Sequence, residues 1–295
     1  MFKDKLYLYI KLMRLNSPIG ILLLLWPPFW VIACTNNGEI YNFISLIFLI
    51  GVITTRTIGC VINDFFDKKF DSKVYRTKDR PYASNLINKK EVIFIFGVLS
   101  IINLSLLFFL NTKTIYIALF AIIFIVTYPL TKRFIKAPQI FLGVTFSIST
   151  LLAYTSIANK YPNDVTWIFF FATLVWVTMF DTMYAMSDKR DDLKIGINST
   201  AILFCNKDKF IIGVLQCIFF LIFMYIGYLK EYGSTFFFFL IMAIGVGVYN
   251  QVLIKNREPK FCIMAFKNNQ YVGLLIFLGI YGEYLLCVMY AMIGN

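Results

Sequence analysis

The sequence contains no histidine, and this absence removes several common catalytic designs at once. A Ser-His-Asp hydrolase, a histidine-ligated haem and a zinc site on an H-E-x-x-H helix each need an imidazole. The six cysteines are scattered, mostly within apolar runs, and no two of them form a C-x-x-C pair. We interpret these cysteines as small apolar residues.

Acidic residues are also scarce, whereas apolar residues are abundant. The chain has 16 Asp and Glu against 28 Lys and Arg, a net charge of +12, and it is 59% hydrophobic with a mean hydropathy of +0.74. Such a composition is not that of a soluble domain. Apolar runs long enough to cross a bilayer recur along the chain. They cover about 18–34, 41–62, 92–110, 114–130, 138–157, 165–186, 210–229, 234–254 and 271–293.

These runs do not alternate between apolar and polar residues, so they predict helices and not the strands of a membrane barrel. If the nine helices alternate sides, 24 of the 28 basic residues lie in connections on the side of the N-terminus. The positive-inside rule then predicts a cytoplasmic N-terminus and a C-terminus on the outer side. The positive charge needs no nucleic-acid partner to explain it. No linker divides the chain, and we expect one membrane domain over residues 1–295.

The first concentration of acids follows the second apolar run, in "INDFFDKKFD" from Ile62 to Asp71. Asn63, Asp64, Asp67 and Asp71 are spaced by three or four residues, so on a continuing helix they share a face. Like charges on one face repel each other, and a divalent cation removes that cost. Carboxylate and amide oxygens are ligands that Mg²⁺ accepts together with substrate phosphates.

A second acidic cluster, "DKRDDLKIG", follows the sixth apolar run and repeats this spacing with Asp188, Asp191 and Asp192. Even numbers of crossings separate the two clusters and the basic segment around Arg133, so all should lie on one face of the membrane. Basic residues flank both clusters. Carboxylates for metal ions beside cations for phosphate oxygens are the composition that a diphosphate site needs. For either cluster alone, a solvated charged loop is the alternative interpretation.

One basic residue lies inside an apolar run. Arg56 precedes Asn63 by seven residues, which is two helical turns, so the two side chains point along the same face. A side chain that snorkels to the membrane surface is one interpretation. A guanidinium that faces an internal cavity and pairs with an acid or a diphosphate is the interpretation we favour.

These motifs resemble those of the UbiA superfamily of intramembrane aromatic prenyltransferases. The resemblance rests on "GCVINDFFDKKFDSKVYRTKDRP" and "DTMYAMSDKRDDLKIGINSTAIL", with support from "MRLNSPIGILLLLWP" and "YPLTKRFIKAPQIFLG". It extends from about residue 8 to the C-terminus, and the second block is most similar to the branch that prenylates 4-hydroxybenzoate. Ser17 departs from the pattern, because an Arg or Lys is common there.

The resemblance implies nine helices around a central cavity, with the acidic motifs facing each other on the cytoplasmic face. It implies that Asn63, Asp64 and Asp67 bind one Mg²⁺ and that Asp188 and Asp192 bind a second. Asp71 is a further candidate ligand. Candidate substrate-binding residues are Arg56, Tyr128, Lys132, Arg133, Tyr184 and Lys194.

The resemblance also implies the reaction. A polyprenyl group would pass from its diphosphate to the ring carbon ortho to the hydroxyl of 4-hydroxybenzoate, a step of ubiquinone biosynthesis. We assign the aromatic carboxylate to Arg133, with Lys132 as the second choice, because a planar guanidinium suits a bidentate pair. Asp191 is the candidate that polarises the phenol or accepts the proton.

Other acceptors, namely dihydroxynaphthoate, homogentisate or a haem vinyl group, would need the same machinery. A transporter of an anionic or lipid substrate is the alternative from another class, although transport sites usually lie near the bilayer midplane. We expect a bacterial inner-membrane protein that contacts lipid, with no nucleic-acid partner and no obligate protein partner.

Overall fold

The computed structural model describes residues 2–72 and 76–293, and the side chains of these except 2–4, 132 and 287–293. Helices follow one another throughout these ranges, and no strand occurs within them. The α-helices are α1 Phe2–Leu12, α2 Ile19–Thr35, α3 Phe43–Asp71, α4 Lys89–Leu106, α5 Thr112–Phe134, α6 Pro138–Ala158, α7 Asp164–Ile195, α8 Thr200–Leu203, α9 Asp208–Leu229, α10 Ser234–Leu253 and α11 Pro259–Ile293. Short 3₁₀ turns at Leu107–Phe109, Cys205–Lys207 and Ile254–Asn256 lie between some of them.

The all-helical membrane fold is confirmed. Within the described residues, eight helices have the length and apolar composition to cross a bilayer, and α2 is a shorter apolar helix of 17 residues. Each of the nine predicted runs falls on one of these helices. Crossing a membrane as helices satisfies the backbone hydrogen bonds inside each segment.

Three helices continue well beyond their apolar runs. α3 ends at Asp71 and α7 at Ile195, and α11 begins at Pro259, so each adds two or more turns to the predicted run. Hydropathy falls where charged and amide side chains appear, but the helical hydrogen bonds continue. As a result, both acidic clusters lie on rigid helix ends and not on loops.

Asparagines begin many of the helices, which explains part of the abundance of this residue. Asn42, Asn88, Asn111 and Asn163 each accept a hydrogen bond from the backbone N–H three residues later. This bond satisfies one of the four amide groups that a helix start leaves without a partner. Gly196 caps the end of α7, and its φ of 77° suits a residue without a Cβ.

The tightly packed part of the bundle is built around two tryptophans. The rings of Trp30 in α2 and Trp176 in α7 lie 5.2 Å apart, and both side chains are fully buried. Trp30 donates through Nε1 to the carbonyl of Gly273 at 2.9 Å. A Cβ at position 273 would lie 2.2 Å from Trp26 Cδ1, so only glycine lets α11 approach this closely.

The other part of the bundle is loosely packed and encloses a cavity. Only one residue of α4, Val92, is buried. A cavity of about 710 Å³ lies between α2, α3, α4, α5, α6, α7 and α11. Its wall extends from Asp71 and Asp188 at one end of the bundle to Leu107 and Leu110 near the other. We call the first end, which carries both acidic clusters, the acidic end.

Candidate active site at the acidic end of the cavity

The two acidic clusters line the same cavity. Its wall includes Asn63, Asp67 and Asp71 from α3 and Asp188 and Asp192 from α7. The spacing of three and four residues places each set on one helix face, as the sequence predicted. Carboxylates from helices that are distant in sequence therefore meet at one end of an enclosed space.

Arginines from outside the spanning helices pair with these acids. Asp64 is 3% exposed, and its Oδ1 accepts hydrogen bonds from Arg14 at 2.6 Å and Arg80 at 3.1 Å. Arg80 also donates to Asp71 at 2.7 Å. Arg14 has a φ of 55°, so the chain turns sharply after α1 and brings this guanidinium to α3. Opposite charges within hydrogen-bonding distance offset the cost of burying the carboxylates.

A further arginine joins the segment after the first cluster to the second cluster. Arg76 follows the first acidic motif, yet it donates to both carboxylate oxygens of Asp188, at 2.9 Å from Nε and 2.5 Å from Nη2. Its guanidinium also lies 4.8 Å from the centre of the Tyr184 ring. This bidentate pair and the ring contact are a geometry that lysine cannot reproduce.

The arginines are positively charged at any physiological pH. Burial works against the charged form of Arg14 and of Arg76. Beside Arg14, the Asp64 carboxylate outweighs this effect of burial. Beside Arg76, the Tyr184 hydroxyl and the Asp188 carboxylate outweigh it. The pKa of both arginines is therefore raised above its usual value. The acidic end thus presents fixed cations among its carboxylates.

The oxygen atoms at this end suit a divalent metal ion. Asn63 Oδ1 is buried and has no hydrogen-bond partner in the part of the chain that the structure describes, although it belongs to a residue of the cavity wall. A buried amide oxygen without a donor is costly unless a ligand meets it. No three acidic or thiol side chains converge on one point among the described residues. A Mg²⁺ ion would therefore complete its shell with substrate oxygens and water, as is usual for this ion.

Arg56 faces the cavity, about 10 Å along α3 from Asn63 by the helical rise. Its guanidinium lies against the backbone of Gly20, where a Cβ would be 2.4 Å from Arg56 Nε. Tyr128 and Tyr184 belong to the same wall. Tyr184 packs against Phe266 with ring centres 4.9 Å apart. The structure therefore brings these three predicted residues to the cavity.

Other predicted residues lie at its rim and do not belong to the wall. Arg133 donates to the carbonyl of Phe66 at 3.0 Å and lies 3.9 Å from Asp67 Oδ1. The Lys194 side chain is 77% exposed and is 3.8 Å from Asp191 Oδ1. Asp64 is held behind the wall by its two arginines. The side chain of Lys132 falls outside the described part of the structure.

The cavity wall also contains polar residues that were not among the predicted site residues. They include Arg14, Arg76, Arg80, Gln139, Asp181 and Lys267. Asp181 precedes Asp188 by seven residues, so the relation that pointed to Arg56 could have identified it. Arg14 reaches the cavity from the turn after α1, and Lys267 reaches it from the early turns of α11. Nothing in the sequence around them shows this.

The segment after α7 folds over the acidic end. Ile197, Asn198 and Ser199 belong to the cavity wall. The backbone N–H of Thr200 donates to Gln139 Oε1 at 2.8 Å. The Thr200 hydroxyl lies 2.7 Å from the Thr182 hydroxyl. These buried contacts join the segment to α6 and α7.

Comparison with known proteins agrees with this architecture. Residues 24–279 match the UbiA prenyltransferase family. A protein of Aeromonas hydrophila subsp. hydrophila named 4-hydroxybenzoate octaprenyltransferase is 43% identical over 283 residues, which are 96% of this chain and 98% of that protein. A protein of the same name from Coxiella burnetii is 42% identical over 272 residues, covering 92% and 94% of the two chains.

Two solved structures share the fold. The apo structure of a UbiA homolog from Aeropyrum pernix K1 superposes with a TM-score of 0.75 at 19% identity, covering 88% of this chain and 96% of that one. A UbiA homolog from Archaeoglobus fulgidus bound to GPP and Mg²⁺ superposes with a TM-score of 0.68 at 17% identity, covering 92% and 98%. The cavity, the two acidic motifs and these relatives lead to one conclusion: the chain belongs to the UbiA prenyltransferase family.

Proposed function

We propose that this protein transfers a polyprenyl group from polyprenyl diphosphate to the ring carbon ortho to the hydroxyl of 4-hydroxybenzoate and releases diphosphate. The observation that carries the proposal is one cavity with acids and arginines at one end and mainly apolar side chains along the rest. Relatives that cover nearly the whole chain carry the name 4-hydroxybenzoate octaprenyltransferase, which supports a tail of eight isoprene units.

The acidic end would bind the diphosphate. Asn63, Asp64, Asp67 and Asp71 on α3, and Asp188 and Asp192 on α7, would hold Mg²⁺. Bound Mg²⁺ supplies Lewis-acid neutralisation of the diphosphate charge, which makes diphosphate a better leaving group. Arg14, Arg76 and Arg80 lie among these acids and can donate hydrogen bonds to the diphosphate oxygens where negative charge develops.

The rest of the cavity would protect the reacting carbon. When the C–O bond to the diphosphate breaks, the allylic carbon becomes cationic and would react with water. Apolar side chains such as Phe146, Phe180 and Ile125 line the wall and exclude water from this region. The electron-rich face of Tyr184, which already lies against the Arg76 guanidinium, can stabilise a nearby cation. The apolar wall toward Leu107 and Leu110 can contact the polyprenyl tail.

The acceptor ring would lie between the reacting carbon and a cation that binds its carboxylate. Its ortho carbon forms the new C–C bond and then loses its proton to a base. Asp191 remains the proposed proton acceptor and Arg133 the proposed carboxylate partner, and both would act from the rim. The geometry supports Arg56 as a second candidate for the carboxylate, because its guanidinium lies in the cavity wall beyond Asn63.

We also propose that the acidic end faces the cytoplasm of a bacterial inner membrane. The basic connections at this end support it, because Lys and Arg are concentrated in the cytoplasmic connections of membrane proteins. The N-terminal α1 would then be cytoplasmic, and the C-terminal end of α11 would face the periplasm.

The reaction itself can be tested with the purified protein in detergent. We expect Mg²⁺, octaprenyl diphosphate and radiolabelled 4-hydroxybenzoate to give a prenylated product whose mass shows one tail on one ring. EDTA should abolish turnover and added Mg²⁺ should restore it. Dihydroxynaphthoate and homogentisate serve as competing acceptors. Preferential prenylation of either one would contradict the assigned acceptor.

Removal of one acid from each cluster should stop turnover without unfolding the protein. Asp64→Ala and Asp188→Ala each remove a candidate metal ligand, and we expect activity to fall by at least about 100-fold, a loss typical of groups that stabilise developing charge. Asp164→Asn is the control, because this exposed acid lies at the opposite end of α7. Normal turnover by either alanine variant would refute the metal assignment.

The two arginine candidates for the carboxylate give different results. If Arg56 binds the carboxylate, Arg56→Gln should lower kcat/KM for 4-hydroxybenzoate by about 10- to 100-fold, since a hydrogen bond to a charged group contributes about 1.5–3 kcal/mol. With 4-hydroxybenzamide, which has no carboxylate, the same variant should lose little. Arg133→Gln is measured in parallel. An acid-specific loss in Arg133→Gln instead would assign the carboxylate to the rim.

Native Cys205 provides a test of the orientation. This free cysteine is exposed on the turn between α8 and α9, at the acidic end. A membrane-impermeant maleimide should label it in inside-out vesicles but not in intact spheroplasts. Tyr161→Cys, at an exposed position between α6 and α7, should show the reverse in a Cys205→Ala background. Labelling of Cys205 in spheroplasts would place the acidic end outside.

A further inference from the structure

A second group of charged side chains lies near the acidic end but outside the cavity wall. Asp208, the first residue of α9, is fully buried. Its carboxylate accepts hydrogen bonds from Arg257, at 3.0 Å from Nε and 2.7 Å from Nη2, and from Lys189 at 3.1 Å. We call these three residues the Asp208 clamp. The proposed chemistry uses none of them.

The clamp joins three segments that are distant in sequence. Lys189 belongs to α7, Asp208 begins α9, and Arg257 lies in the turn before α11. Lys189 also donates to the carbonyl of Cys205 at 2.6 Å, and Arg257 donates to that of Asn206 at 2.8 Å. The clamp therefore connects the end of α7 to two other helices through charged groups and through backbone.

The backbone around the clamp is held in an unfavourable conformation. Cys205 has a φ of 50° and Arg257 a φ of 56°, in the left-handed region that residues with a Cβ seldom adopt. Such residues remain there only when the surrounding contacts require it. Both residues take part in such contacts: the Cys205 carbonyl accepts from Lys189, and the Arg257 guanidinium donates to Asp208.

The last turns of α7 have little apolar packing of their own. The buried residues of this helix end at Met186, and every residue from Ser187 to Ile195 is at least partly exposed. Apolar packing therefore does not orient the last two turns. Asp188 and Asp192 face the cavity, whereas Lys189 reaches the clamp on another flank. Neighbouring residues on a helix are about 100° apart, so the contact between Lys189 and Asp208 holds the end of α7 in the orientation that directs both acids into the cavity.

We infer that the Asp208 clamp positions the second acidic cluster, with Lys189 and Asp208 as positioning residues for metal and diphosphate binding by Asp188 and Asp192. A buried carboxylate that loses a cationic partner is left with uncompensated charge. Any rotation of α7 that moves Lys189 away from Asp208 is therefore unfavourable. Arg76 restrains Asp188 from the cavity side, and the clamp restrains the helix from the other. This inference rests on the proposed function.

Lys189→Met tests it, because methionine keeps an unbranched chain but loses the contact to Asp208, while the Asp208–Arg257 pair remains. The measurement is the thermal unfolding temperature of the purified protein in detergent, followed as Mg²⁺ is added at a fixed low concentration of inorganic pyrophosphate. We expect the Mg²⁺ concentration at half-maximal stabilisation to rise at least about 10-fold in Lys189→Met, a typical loss when a residue that orients a metal ligand is removed. A merely structural role would lower the starting temperature and leave this midpoint unchanged.

Two matched variants separate positioning from loss of charge. Arg190→Met removes the same charge from the next residue of α7, which is exposed, and should leave the midpoint within about 3-fold of wild type. Lys189→Arg keeps a donor for Asp208 and should also keep the wild-type midpoint. If Lys189→Met is not recovered folded, the double variant Lys189→Met/Asp208→Asn, which removes the buried charge together with this partner, is measured with the same expectation.

The outcomes distinguish the two proposals. A wild-type midpoint retained by Lys189→Met, or an equal shift in Arg190→Met, would overturn the positioning role and leave the proposed function intact. If Mg²⁺ with pyrophosphate does not stabilise the wild-type protein at all, the metal assignment fails, and the positioning role fails with it.

Discussion

The structure depends on carboxylates that are buried at the end of an apolar bundle and compensated by arginines. An uncompensated charge in such a place costs several kcal/mol, so each acid needs a partner within hydrogen-bonding distance. Asp64, at 3% exposure, has two arginines, and Asp188 has a bidentate one. Their partners come from the end of α1 and from the segment after α3, so these segments must fold over the bundle before the acids can be buried at low cost.

The bundle that carries these acids is packed unevenly. The part around Trp30 and Trp176 is closely packed and fixes α2, α7 and α11 with respect to one another. The part formed by α3, α4 and α5 leaves an enclosed space of about 710 Å³. α3 and α7 border both parts, and each continues as a rigid helix beyond its apolar run. They can therefore carry the two acidic clusters to fixed positions while the space between them stays open for a lipid substrate.

Much of this arrangement could be predicted from residues close together in the chain. The spacing of Asn63, Asp67 and Asp71 indicated one helix face, and the seven-residue step from Arg56 to Asn63 indicated a cavity. Such relations depend on helical geometry alone. The pairs Arg14–Asp64 and Arg76–Asp188 join residues 50 and 112 positions apart. They depend on how helices pack and how connections fold, and a periodic pattern contains no information about either. The position of Arg133 at the rim also depends on how the helices pack, so the sequence pattern did not predict it.

The excess of positive charge then has a role beyond topology. Within the acidic end, Arg14, Arg76 and Arg80 already contact carboxylates, so a metal ion that binds these acids competes with the arginines for the same oxygens. A diphosphate that arrives with the metal brings new oxygens to which the displaced guanidiniums can donate. If the protein binds metal and diphosphate as proposed, the two would be coupled, because either alone would leave charges of one sign without partners. A cation-rich face with few, well-placed acids is the composition that such coupling requires.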